Sequence, residues 1–275
     1  MGVSLKRRPT FQARPKAGQK QRIGSGSYEE RTNRQQRKIV STFDAWVAAL
    51  KRDLLSRAKG GATLPELSAY LDRQVPKLEE HLVGVMTKGI ETAVKTVAGG
   101  RADLPQIRAK AERMVADNVA LVRENLVPHI HEKLSLALAV AVPGLVIGGL
   151  AVEQQRSVAL AIKNASAATR SAPAQYAGGY WVAIFETEKT LGGVREEERA
   201  AQGLKPEPVK WNLDPRAEHC KPSAGFYGCP ELAKVYTSWS QLPTVPAGQV
   251  TCRGNCRCHL TVYRDGQWRR GVFED

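Results

Sequence analysis

The chain is expected to take an α+β fold that is mostly α: an elongated helical body with a small, Cys-rich β module at the C-terminus. Three observations lead there. Apolar residues recur at three- and four-residue spacing between helix-start and helix-stop signals over most of the first 200 residues. All five cysteines, Cys220, Cys229, Cys252, Cys256 and Cys258, lie in one short stretch near the C-terminus. After them, Leu260–Tyr263 and 267–273 read as two strands joined through Asp265-Gly266, a tight-hairpin signal. The expected division is a basic arm at 1–26, a helical domain at 27–204 and the Cys-rich module at 205–275.

The arm comes first. Its basic residues include Lys6, Arg7, Arg8, Arg14, Lys16, Lys20 and Arg22, and much of the chain's net charge of +14 is concentrated in the first 38 residues. Rich in Gly, Pro, Gln and Arg and poor in apolar groups, it is expected to stay disordered alone. Such charge favours polyanionic partners. On a flexible arm it neutralises phosphates without presenting a fixed pattern to base edges, so double-stranded DNA would be bound without regard to sequence.

The helical body follows. Ser27-x-x-Glu30 reads as a capping box, and Ile39, Val40, Phe43, Trp46, Val47, Leu50 and Leu54 mark one face of the first helix. Gly60-Gly61 stops it. Thr63-Leu64-Pro65-Glu66 starts a second helix, with apolar positions from Leu67 through Leu71, Leu78, Leu82, Met86, Ile90 and Val94. Pro76 is expected to divide or kink it, and Gly99-Gly100 to end it. Asp103-Leu104-Pro105-Gln106 repeats the start signal for a helix that should break near Pro128.

Residues 134–152 contain no Asp, Glu, Lys or Arg. As one helix they would span about 28 Å, near the thickness of a bilayer core. Pro143-Gly144 and Gly148-Gly149 interrupt them, so a buried helical hairpin or subunit interface is preferred over membrane insertion. A further helix should begin near Pro173. Its stripe of Tyr176, Tyr180, Trp181, Ile184 and Phe185 reads as core. Gly192-Gly193 is expected to interrupt this helix, and the charged run 195–199 to be a solvated face.

In the module, Val209-Lys210-Trp211 reads as a short strand, with Trp239, Leu242 and Pro243 as local packing. Cysteines flanked by His219 and His259 suit zinc, which prefers thiolate and imidazole in a closed tetrahedral site. Four of the five cysteines are the expected ligands, with His219 or His259 as substitutes. Zinc would also stabilise a module too loop-rich for a core of its own. The alternative is disulfides. Five thiols leave one over, and residues 1–20 lack an apolar signal region, so an intracellular compartment is expected, where disulfides are rare.

One ordered set of residues carries a resemblance. Lys210-Trp211, Asp214, Arg216 and His219-Cys220 precede Cys229 with Glu231-Leu232-Ala233. Trp239, Leu242-Pro243, Pro246, Cys252 and Asn255-Cys256-Arg257-Cys258-His259-Leu260 follow. This resembles the C-terminal motif of phage minor head proteins of the Mu F-like, head-morphogenesis family, over about a fifth of the chain, residues 209–263. The family's first cysteine pair is usually Cys-x2-Cys. Here KPSAGFYG separates Cys220 from Cys229, and both can share a metal only if that insertion turns the chain back.

The resemblance implies a structural protein of the virion, in the phage head and in the host cytoplasm during assembly. Its implied partners are the portal protein, other head proteins and packaged DNA, and its implied role is head assembly or genome packaging and ejection. Two alternatives stand beside it. A membrane-active ejection protein would use residues 134–152. A zinc-module nucleic-acid-binding protein, or an HNH-like nuclease, would use the knob. No enzyme is expected. An HNH-type site needs a histidine beyond His259, and the adjacent His219 and Cys220 would point to opposite faces of a strand.

Overall fold

The computed structural model describes residues 25–141, 152–170, 172–173, 178–215, 219–223, 225–251, 256 and 258–270. Its helices are α1 (Ser25–Lys59), α2 (Leu64–Ala98), α3 (Pro105–Leu121), α4 (Val127–Ala141), α5 (Val152–Thr169), α6 (Gly178–Ala201) and the single turn α7 (Cys229–Leu232). Four short strands form one antiparallel sheet in the order β2-β1-β3-β4: β1 (Val209–Asn212), β2 (Val235–Tyr236), β3 (His259–Arg264) and β4 (Gln267–Arg270). The mostly helical α+β expectation is met.

Local chemistry explains most boundaries. Gly61 takes a φ of 90° after α1, a conformation that costs glycine nothing. At the start of α2 the Glu66 carboxylate accepts the Thr63 backbone N–H at 2.7 Å and the Thr63 hydroxyl at 3.0 Å. These two bonds hold the Glu66 carboxyl below its usual range. Gly99, at a φ of 51°, closes α2. Asp265 and Gly266, at φ 48° and 78°, make the β3–β4 turn.

Several expectations are corrected. α1 already runs at Ser25, so Ser27 lies inside the helix rather than capping it, and Ser25 and Gly26 of the expected arm are helical. The rest of the arm, with Lys6, Arg7, Arg8, Arg14, Lys16, Lys20 and Arg22, lies outside the described residues. α2 continues through Pro76 as one helix, because Leu71, Leu78 and Leu82 on either side are all buried in the same core. Pro128 does not break the chain either. A π-helical turn, Val122–Leu126, precedes it and reroutes the backbone bonds ahead of the missing N–H, and α4 continues. Asp103 does not cap α3, whose N-cap is Leu104.

The core falls into two clusters. One joins α1, the first part of α2, the π turn, α4 and α5 around Phe43, Leu54, Leu67, Leu78 and Leu126. α4 and α5 pack on each other as the two arms of a hairpin. Leu134 and Leu138 face inward, while Leu136, Val140, Val152 and Leu160 are exposed. The apolar stretch 142–151 between the arms lies outside the described residues. Among those described, no helix is long and apolar enough to cross a membrane.

The other cluster is continuous from the end of α2 through α3 and α6 into the β module. Tyr180, Trp181, Ile184 and Phe185 are buried in it, as their spacing predicts, and Tyr176 lies outside the described residues. α6 runs uninterrupted through Gly192-Gly193. Gly192 is there for a close approach: a Cβ at that position would lie 2.2 Å from Cδ2 of Trp239. The charged run after it is a solvated face only at Glu197 and Glu198, which are exposed. The Glu196 carboxylate accepts the Trp239 backbone N–H, and Arg195 and Arg199 reach Glu207, just ahead of β1.

Candidate metal centre

The sheet has a buried face and an outer face. Val209, Trp211, Leu260 and Val262 point into the core shared with α6. Cys258, one residue before β3, is buried with them. The thiols of Cys229, Cys256 and Cys258 all lie within 4.8 Å of one another, and all three are buried. Cys229 and Cys256 sulfurs are 3.9 Å apart, and the half-buried Cys220 sulfur is 3.3 Å from that of Cys229. Among the described residues, no disulfide joins these four cysteines. Cys220 touches Cys229 but stands outside the mutual group of three. A buried three-cysteine cluster of this kind could hold a metal ion, with Cys220 beside it.

The insertion between Cys220 and Cys229 is what permits this. Ser223 and Phe226 exchange backbone hydrogen bonds of 3.2 and 2.8 Å, and Gly225 takes a φ of 76°. The Cys229 N–H then donates to the Cys220 carbonyl at 3.2 Å, closing the loop. Gly228 is required at the base: a Cβ there would lie 2.7 Å from Cδ of Pro222. Tyr227 pairs with the stretch around Val250, which fixes the loop against the chain leading back to Cys256. The insertion thus returns the chain, as a shared site demands.

Electrostatics favour a cation here. Contact with Cys229 pulls Cys258 toward its thiolate, but the Cys256 thiol and burial outweigh it and push Cys258 up to about 12. Crowded, buried thiols cannot ionise together without a positive charge, and a metal ion reverses that balance. The Trp211 indole N–H is buried without a hydrogen-bond partner, near enough to Cys258 to favour its thiolate slightly. A donor beside a candidate ligand sulfur is the kind of neighbour that tunes metal sites.

Neither histidine joins the cluster. His259 pairs with Asn212 on the outer face of the sheet, opposite to Cys258. Burial, then Arg270, lowers it to about 4 against the pull of Asp214, so it is neutral at pH 7. His219 is half-buried and outside the group as well. Cys252 lies outside the described residues.

Sequence reading missed Trp211 as a neighbour of the cysteine cluster, although its place on β1, two residues from Val209, puts it on the buried face. It also missed the Glu207 clasp. Glu207 accepts Arg264 Nε at 2.9 Å and Arg195 Nε at 3.2 Å, with Arg199 Nη1 at 3.6 Å. These residues are scattered along the chain, and nothing local marks them.

Fold and site together define the class: a helical body fused through a common core to a small antiparallel sheet with a buried cysteine cluster at its base. No family model, curated protein or solved structure matches the chain.

Proposed function

We propose that this chain is a zinc-stapled structural minor head protein of a tailed phage, associated with the portal vertex and with packaged DNA. The observation that carries the reading is the convergence of Cys220, Cys229, Cys256 and Cys258 at the base of the module. These are residues of the motif that resembles the Mu F-like family. Zinc–sulfur bonds of about 2.3 Å in a tetrahedron place sulfurs about 3.8 Å apart. The Cys229–Cys256 separation of 3.9 Å fits that edge. Zinc would serve as a staple: it would supply folding free energy, of order 10 kcal/mol, and hold the module rigid against α6. The basic arm would neutralise phosphate, and the helical body would dock on protein.

The test uses the full chain purified without added metal. Elemental analysis is expected to give about one zinc per chain, and Cys229→Ser to lose it. The protein should cosediment with portal rings, while its DNA binding falls steeply with salt. Disulfides in place of metal would refute the staple. Flotation with liposomes and no portal binding would favour the membrane-active reading, which the exposed Leu136, Val140, Val152 and Leu160 of the hairpin support.

A further inference from the structure

Strand register decides which side chains share the outer face of the sheet, because side chains alternate along a strand and paired residues lie on one side. Lys210 is opposite both Val235 and Thr261, and Thr261 is opposite Arg270. Tyr263 is opposite Trp268, and Asn212 is opposite His259. This face turns away from the core. Tyr263 and Trp268 are each 41% exposed, and their rings meet with centroids 5.3 Å apart at 60°. Lys210 Nζ stands over the Trp268 ring at 5.9 Å. The Asn212 amide donates to the Thr261 hydroxyl at 2.9 Å, which keeps the middle of the face flat and polar. Among the described strand residues no carboxylate lies on this face, and Asp214, just past β1, acts on His259 at its margin.

Two large rings exposed side by side next to the sheet edge are unfavourable in water unless something covers them. The cations around them select what. We propose that this face binds single-stranded nucleic acid, with unpaired bases stacked on Tyr263 and Trp268 and the phosphates met by Lys210 and Arg270. Stacking on aromatic side chains with cations along the backbone is how single strands are held without sequence preference. A duplex hides its π-faces, so it cannot use this surface. The proposal does not rest on the phage-head reading. It concerns a different surface from the arm, and a different state of the nucleic acid.

Trp268 makes the test selective, since Trp46, Trp181, Trp211 and Trp239 are all buried. The full chain is titrated with a short oligothymidylate while indole emission is followed. Saturable quenching is expected, whereas an abasic chain of the same length, which the arm can bind by charge alone, should leave emission unchanged. Tyr263→Ala should weaken oligothymidylate binding on the order of tenfold, with Trp268 still reporting. Trp268→Ala should weaken it comparably and abolish the quenching. Lys210→Glu, an exposed change remote from the core, gives an independent variant and should also weaken binding. Binding without quenching, equal quenching by the abasic chain, or affinities within twofold across the variants would overturn the proposal.

Discussion

Gly192 and Gly193 look interchangeable in the sequence, yet they face different surroundings. Gly192 lies against the Trp239 indole, and a Cβ would sit 2.2 Å from the ring. Gly193 has nothing within 4 Å of its would-be Cβ. Opposite outcomes follow for one chemical change. Gly192→Ala should destabilise the protein by about 1–3 kcal/mol, because Trp239 must move in a packed core. Gly193→Ala should stabilise it by about 0.5–1 kcal/mol by lowering the backbone entropy lost in a helix. Denaturant midpoints of the two variants check this, and equal shifts of one sign would contradict the docking of Trp239 on α6.

At the scale of elements, the contact between α6 and the sheet is polar at its edge. Glu207 is surrounded by Arg195, Arg199 and Arg264, and both Glu207 and Arg264 side chains are more than nine-tenths buried. One carboxylate is therefore the shared partner of three guanidiniums. Removing it leaves buried positive charge without compensation, so Glu207→Gln should cost about 3–5 kcal/mol. Arg264→Met should cost less, since it removes a buried charge, replaces it with apolar volume and leaves Glu207 two partners. Chemical denaturation of the two variants gives the comparison. A larger loss for Arg264→Met would show that packing around the Arg264 stem, rather than charge balance, holds the sheet on the helix.

For the whole molecule, the division of the core into two clusters sets what metal loss can do. The cluster that contains the cysteines also contains the ends of α2, α3 and α6, while the cluster of α1, α4 and α5 contains no module residue. Chelation should therefore loosen amides of β1, β3 and α6 and leave those of α1 and α5 protected in hydrogen exchange. Uniform loss of protection would mean that α2, which spans both clusters, couples them into one cooperative unit.

The sequence by itself determined much of this architecture. Helices were legible where local chemistry acts alone: Thr63 with Glu66, the stop at Gly99, and the periodic Leu67, Leu71, Leu78 and Leu82. The hairpin at Asp265-Gly266 was legible for the same reason, since positive φ at two adjacent residues selects few side chains. The gathering of cysteines into one module was visible as spacing. Other features needed tertiary structure. The continuity of α2 through Pro76 and of the chain through Pro128 arose because buried apolar contacts on both sides outweigh one lost hydrogen bond. The choice of Cys229, Cys256 and Cys258 over His219 and His259 came from strand register and from the returning loop at 221–228. Register, like the Glu207 clasp and the seat of Trp239 on Gly192, depends on pairing between distant segments, and local propensity carries no information about which distant segment arrives.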